Sequence, residues 1–190
     1  MTMRLASPPL ALFCASLLVC SLAQAFELSS PDIHDGQPLS SVEEYSGFGC
    51  QGQNRAPALS WKDAPAGTQS FAITVYDPDA PTGSGWWHWL LFNLPASSTA
   101  LPAAAGQPGG PSLPAGSVQS VTDYGVPGFG GACPPAGDPP HHYIFTVHAL
   151  KVAKLDLDAS AMPALVGYML NANSLGKASL TATYARPATN

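Results

Sequence analysis

Trp86-Trp87-His88-Trp89-Leu90-Leu91-Phe92-Asn93 is an aromatic-rich octet that is apolar on both alternating faces, interrupted only by one imidazole and closed by an amide. A run of this length, stopped by Leu94-Pro95, reads as a central strand covered on both sides. Before it, Ser70–Asp77 alternates cleanly and puts Phe71, Ile73 and Val75 on one face. That segment ends at Asp77-Pro78-Asp79-Ala80-Pro81, where two prolines remove donors and fix φ. Thr82-Gly83-Ser84-Gly85 continues the turn.

Three further strands are expected, at Ala58–Trp61, at His142–Leu150 and, short, near Ser117–Val121. A helix is expected over Ala161–Asn173, with Ser160 as N-cap, Pro163 in the first turn and Gly176 just past the end. Lys177–Tyr184 returns as a strand, and Ala185–Asn190 is a tail. Ala96–Gly131, rich in Ala, Gly, Pro and Ser, is too long for a structureless loop in a compact domain and is expected to be largely ordered.

Met1–Ala25 has one early cation, Arg4, an apolar run from Leu10 to Leu22, and Ala23-Gln24-Ala25 at its end. This is the pattern of a secretory signal peptide cleaved after Ala25. A lipoprotein reading at Cys20 fails on Val19, where a small residue is needed. Removing 25 of 190 residues leaves 165, residues 26–190, expected to form a single domain. This segment keeps all 12 acids and 6 of the 7 cations, for a net charge of −6. So little charge excludes a coiled coil, a basic nucleic-acid binder and a charge-driven disordered tail. No second apolar stretch is long enough to span a bilayer. The chain is expected to be periplasmic or secreted. Its remaining cysteines, Cys50 and Cys133, are expected to pair in such a compartment, against the alternative of two buried free thiols.

Asp77, Asp79, His88 and His141 stand out by their apolar or proline-locked surroundings. Singly, each reads more readily as a core or turn residue. Together, Asp77-Pro78-Asp79-Ala80-Pro81, Trp86-Trp87-His88-Trp89 and Cys133-Pro134-Pro135 followed by His141-His142-Tyr143 resemble the phosphatidylethanolamine-binding protein family, in its bacterial, Raf-kinase-inhibitor-like branch. Phe48-Gly49-Cys50-Gln51-Gly52, Pro57-Ala58-Leu59-Ser60-Trp61 and Leu175-Gly176-Lys177-Ala178 match as well, so the resemblance runs from about Leu28 to Arg186. It implies a mainly β fold (α+β): an antiparallel β-sandwich with a large central sheet, a smaller sheet and peripheral helices. It also implies a small surface cavity for an anion such as phosphate or a phospholipid head group. The walls carried over are Asp77, Trp86, His88, Gly131, Pro134, His141 and Tyr143. Eukaryotic members close this cavity with a C-terminal helix, and this sequence runs only a few residues past Tyr184, so a more open pocket is expected.

The residue chemistry is compatible with that reading. Two imidazoles can donate to a phosphate oxygen, Tyr143 adds a hydroxyl, and N–H groups around Gly131 are expected to complete a small nest. Asp77 suits an anion site only by orienting a histidine. With no adjacent Lys or Arg, affinity is expected in the micromolar to millimolar range, on the order of −4 to −8 kcal/mol, and tighter at pH 6 than at pH 8.

An enzyme reading, with His88, His141 and Asp77 as a metal triad or a base–orienter pair, lacks a G-x-S-x-G or H-E-x-x-H motif. No catalysis and no cofactor are expected. The alternative is a secreted interaction or inhibitor module acting through the pocket rim, since the family includes inhibitors of kinases and of serine proteases. Trp87 and Trp89 are expected to point opposite to His88 as core residues. His142 and His148 are read as structural or surface residues facing away from Tyr143, His34 as a solvated loop residue, and Thr181 and Thr183 as ordinary strand positions.

Overall fold

The structure, a computed structural model, describes residues 24–188. The expected signal peptide, Met1–Ala25, lies outside the described residues apart from its last two positions. Ten strands and one helix follow in chain order: β1 (Glu27–Ser29), β2 (Ser46–Gly47), β3 (Cys50–Gln51), β4 (Leu59–Lys62), β5 (Ser70–Asp77), β6 (Trp86–Pro95), β7 (Ala100–Leu101), β8 (Val118–Gln119), β9 (His141–Leu150), α1 (Pro163–Asn173) and β10 (Ser174–Tyr184).

The large sheet runs β10-β9-β5-β6-β8, antiparallel throughout, and a smaller sheet runs β1-β4-β7. The alternation of β5 decides which side each residue serves. Phe71, Ile73 and Val75 face the small sheet and pack with Leu59, Trp61 and Leu101 in the main core. Ala72 faces the other way, into a second cluster with Leu90, Phe92 and Leu150 under Val166 and Leu170 of α1. The octet in β6 therefore has cover on both faces, as its composition requires. The expected mainly β sandwich is the observed architecture, with a single peripheral helix among the described residues.

Two irregularities correct the strand reading. Val75 pairs with Trp89 while Tyr76 pairs with Trp87, so His88 is an extra residue in a β-bulge. A bulge breaks the strict alternation of side chains. Trp89 consequently shares the main-core face with His88 instead of opposing it, and only Trp87 turns to the helix side. A second shift, between Phe71 and Ile73, accommodates Asn93 at φ 60°. Its amide clamps Leu155, accepting from the backbone N at 2.8 Å and donating to the carbonyl at 3.2 Å.

The helix starts two residues later than expected. Met162 is the N-cap and makes no side-chain cap. Ser160 instead bonds Asp158 Oδ1 through both its N–H, at 2.8 Å, and its hydroxyl, at 2.6 Å. Nor does Gly176 end the helix. It lies within β10, where a Cβ would meet Pro65 Cγ at 2.8 Å.

The Ala96–Gly131 stretch has little regular structure but is tied down by two glutamines. Gln107 accepts from Ala56 N at 2.7 Å and donates to Asn54 O, and Gln119 accepts from Trp89 Nε1 at 2.6 Å and donates to Gly106 O at 3.0 Å. Cys50 and Cys133 are joined in a disulfide with their Cα atoms 6.0 Å apart. No helix among the described residues is long and apolar enough to cross a membrane.

Candidate functional site

A cavity of about 180 Å³ opens where the end of β5, the start of β6 and the start of β9 meet the 131–135 segment. Six of the seven expected wall residues line it: Asp77, Trp86, His88, Pro134, His141 and Tyr143. They come together because β6 and β9 flank β5, so that the Asp77 end of β5 lies beside Trp86, and Tyr76 pairs with Ile144. The first proline-locked turn then wraps the rim, with Asp77 Oδ1 accepting from the N–H groups of Asp79, at 2.8 Å, and Ala80, at 3.2 Å.

Asp77 is placed to orient a histidine. Its Oδ2 accepts from His141 Nδ1 at 2.8 Å, both side chains being almost fully buried. The other ring nitrogen of His141 lies 3.5 Å from Asp138 Oδ2, which leaves this imidazole between two carboxylates. Asp79 turns away from the cavity to His142, accepting its N–H and its Nδ1–H at 2.7 Å each. Against the opposing effect of partial burial, those bonds hold Asp79 below the ordinary carboxylate value.

His88 Nδ1 lies 2.8 Å from Gly130 O and 3.1 Å from Gly131 O. Carbonyl oxygens only accept, so this nitrogen carries the proton, and in the neutral ring Nε2 bears a lone pair. Burial lowers the pKa of His88 despite the raising effect of these carbonyls and of Asp77. The neutral form is therefore favoured, and His88 offers the cavity an acceptor. This corrects the expectation that both histidines donate.

The nest around Gly131 is corrected too. Gly131 N donates to Asn54 Oδ1 at 2.7 Å, Gly130 N to His88 O at 2.8 Å and Ala132 N to Glu43 O at 3.0 Å, so none of the three is free for a ligand. Gly131 lies behind the wall and acts through its carbonyl, which accepts from His88 and, at 2.8 Å, from Tyr124 Oη. A Cβ here would fall 2.1 Å from Glu43 O and 2.7 Å from Tyr45 N, both backbone atoms. We expect Gly131→Ala to cost about 2 kcal/mol in a urea melt through this overpacking, and to shift the His88 ring resonances. A melt equal to wild type would show that the 131–135 segment yields freely.

Three polar atoms on the cavity wall are buried without a well-formed hydrogen bond in the protein: Trp86 Nε1, His88 Nε2 and Tyr143 Oη, the last close to the Asp77 carboxylate. Burial also pushes the Tyr143 and Tyr124 hydroxyls well above the ordinary tyrosine range, so both stay protonated. The wall thus presents an indole donor, a phenol and an imidazole acceptor beside a carboxylate.

Tyr124 and Phe48 complete the site and were not anticipated. Tyr124 packs edge-on against Trp86 and His88 and stacks on Tyr45 at 4.1 Å between ring centroids. Phe48, at φ 52°, remains 72% exposed at the rim. The disulfide and Arg186 fix this rim, Arg186 donating to Gly49 O at 2.8 Å and to Pro134 O at 3.3 Å. Among the described residues, no group of three His, Cys, Asp or Glu side chains is placed to hold a metal ion.

The family model described as phosphatidylethanolamine-binding protein matches residues 29–185. YbcL of Escherichia coli K12 is 55% identical over 162 residues, which is 85% of this chain and 88% of YbcL. Its crystal structure superposes with a TM-score of 0.82, covering 84% of this chain and 98% of the solved one. YbhB of the same organism is 48% identical over 83% of this chain and 99% of its own length. LppC, a candidate lipoprotein of Mycobacterium tuberculosis, is 34% identical over 85% of this chain and 73% of its own.

Proposed function

The chain belongs to the phosphatidylethanolamine-binding protein family, in the bacterial branch of YbcL and YbhB, and from that premise we propose that it is a non-catalytic binding protein for a small oxyanion. The ligand class is phosphate or a phospholipid head group. The observation that carries this reading is the convergence of Trp86 Nε1, His88 Nε2 and Tyr143 Oη, buried without well-formed hydrogen bonds in the protein, on one cavity. Buried polar groups are almost always satisfied, so three together mark a place where a ligand supplies the partner. At about 180 Å³ the cavity is smaller than the usual drug-sized site of roughly 300 Å³ or more. It suits a head group, while acyl chains would stay outside.

The donors define how the ligand sits. Trp86 and Tyr143 donate to two ligand oxygens, and His88 Nε2 faces a third that carries a proton, or takes that proton itself. Asp77 disfavours full negative charge nearby and holds His141 against the ligand. The aliphatic hydroxyl and the sulfur that line the cavity are engaged: Thr82 donates to Gly85 O at 2.5 Å, and Cys133 is in the disulfide. That supports binding over catalysis. The disulfide and the likeness to LppC support an exported chain; cleavage after Ala25, leaving residues 26–190 as one domain, is part of the same proposal.

Calorimetric titration of phosphorylethanolamine and of inorganic phosphate into the purified protein tests the reading. We expect saturable binding, weakened about tenfold by Tyr143→Phe or by His88→Ala through loss of one hydrogen bond each. Equal affinity in wild type and both variants would refute the site. The exposed Phe48 ring favours the second reading, a protein-contacting rim. A partner whose binding is lost in Phe48→Ser, with phosphate affinity intact, would support it.

A further inference from the structure

On the opposite side of the large sheet, beneath α1, lies a second cavity of about 210 Å³ that shares no residue with the first. Most of that face is apolar, as a helix-covered face should be. At this end, however, polar residues run across neighbouring strands in two rows. Thr74 pairs with Thr146, which pairs with Ser179, and next to them His148 pairs with Lys177. The Thr146 and Ser179 hydroxyls lie 2.9 Å apart. His148 Nε2 lies 3.0 Å from Thr74 Oγ1, while its Nδ1 is buried and has no partner in the protein.

The charge in this cavity is one-sided. Lys177 is the only ionised side chain among the residues that line it, and its ammonium donates to Asn171 Oδ1 at 2.6 Å. Burial, followed by Lys177, pushes the His148 pKa down to about 3, so the imidazole adds hydrogen-bonding capacity without charge. Trp87, Ile144 and Leu170 supply an apolar wall.

We propose that this cavity is a second binding site, for a small organic carboxylate whose charged end meets Lys177 and the sheet hydroxyls and whose apolar body lies against Trp87 and Leu170. A carboxylate can accept from an ammonium and hydroxyls together. A cation would meet Lys177 with no compensating acid. The proposal is independent of the phosphate reading of the first cavity.

Sodium benzoate, benzylamine and inorganic phosphate, titrated separately and followed by the NMR signals of His148 and Trp87, provide the test. We expect benzoate to shift both signals saturably and benzylamine to leave them unmoved. Lys177→Met should weaken benzoate binding about tenfold, as loss of a charged hydrogen bond does. Asn171→Ala, which frees the ammonium from its present partner, should tighten it. Both positions are exposed, so folding is not at stake. The proposal is overturned by no shift with benzoate, by an equal shift in Lys177→Met, or by an equal response to benzylamine. Phosphate binding stronger than benzoate would overturn the assignment of an apolar body.

Discussion

Reducing the Cys50–Cys133 disulfide should lower the stability of the folded chain by about 4–5 kcal/mol in the chain-entropy model for a separation of 83 residues. The effect arises mainly in the unfolded state, where the cross-link removes conformations that a reduced chain regains. Domains of this kind are stable by roughly 5–15 kcal/mol in total, so the loss is a large share. For a chain of this size it corresponds to a Tm lower by about 10–15 °C. Thermal melts with and without reductant, and a Cys50→Ser/Cys133→Ser variant, should agree.

The folded reduced protein should keep most of its cavity, because Arg186 independently holds Gly49 O and Pro134 O. Combining reduction with Arg186→Ala should then loosen the Phe48 rim and weaken phosphate binding, whereas either change alone does so only slightly. Two reactive thiols in unfolded, unreduced protein, or a Tm indifferent to reductant, would remove the basis for this expectation.

How much of the site could be read in advance depended on whether the chemistry was local. Asp77 and His141 were visible because prolines lock their neighbourhoods, and His88 because an imidazole is costly to bury in an apolar strand unless it is hydrogen-bonded. The helix starts later than the sequence suggests, and Ser160 is engaged by Asp158 Oδ1 instead of capping it.

What stayed hidden depends on segments that cross in space. The protonation pattern of His88 is set by carbonyls 42 and 43 residues away. Gly131 is held by Asn54, 77 residues distant. The bulge that turns Trp89 onto the face of His88 exists only once β5 and β6 are paired. Tyr124 left one weak trace: it is the only aromatic residue between Phe92 and Phe129, in a stretch otherwise poor in side chains able to make a wall.

Anion affinity should rise between about ten- and a hundredfold from pH 8 to pH 6, the upper limit being uptake of one full proton across the two units. The free site has a neutral His88, since burial lowers its pKa, and Nε2 presents a lone pair. An oxyanion facing that lone pair is repelled unless a proton lies between them. Unless the ligand brings that proton as a P–OH, binding takes one up, and a process that takes up protons is favoured as pH falls. The groups facing His88 are Asp77, Asp123, Tyr124 and Tyr143. The two phenols remain protonated, so over this range they supply no competing titration.

Phosphate itself also titrates near this range, with a second pKa of about 6 for a monoester. Sulfate does not, and it separates the two sources of the proton. If His88 is the acceptor, sulfate too should bind more tightly at pH 6, and His88→Gln should flatten its pH dependence. Phosphate should keep only the part due to its own ionisation in that variant. Sulfate affinity that is equal at pH 6 and pH 8 in the wild type would place the proton elsewhere and remove His88 from contact with the anion.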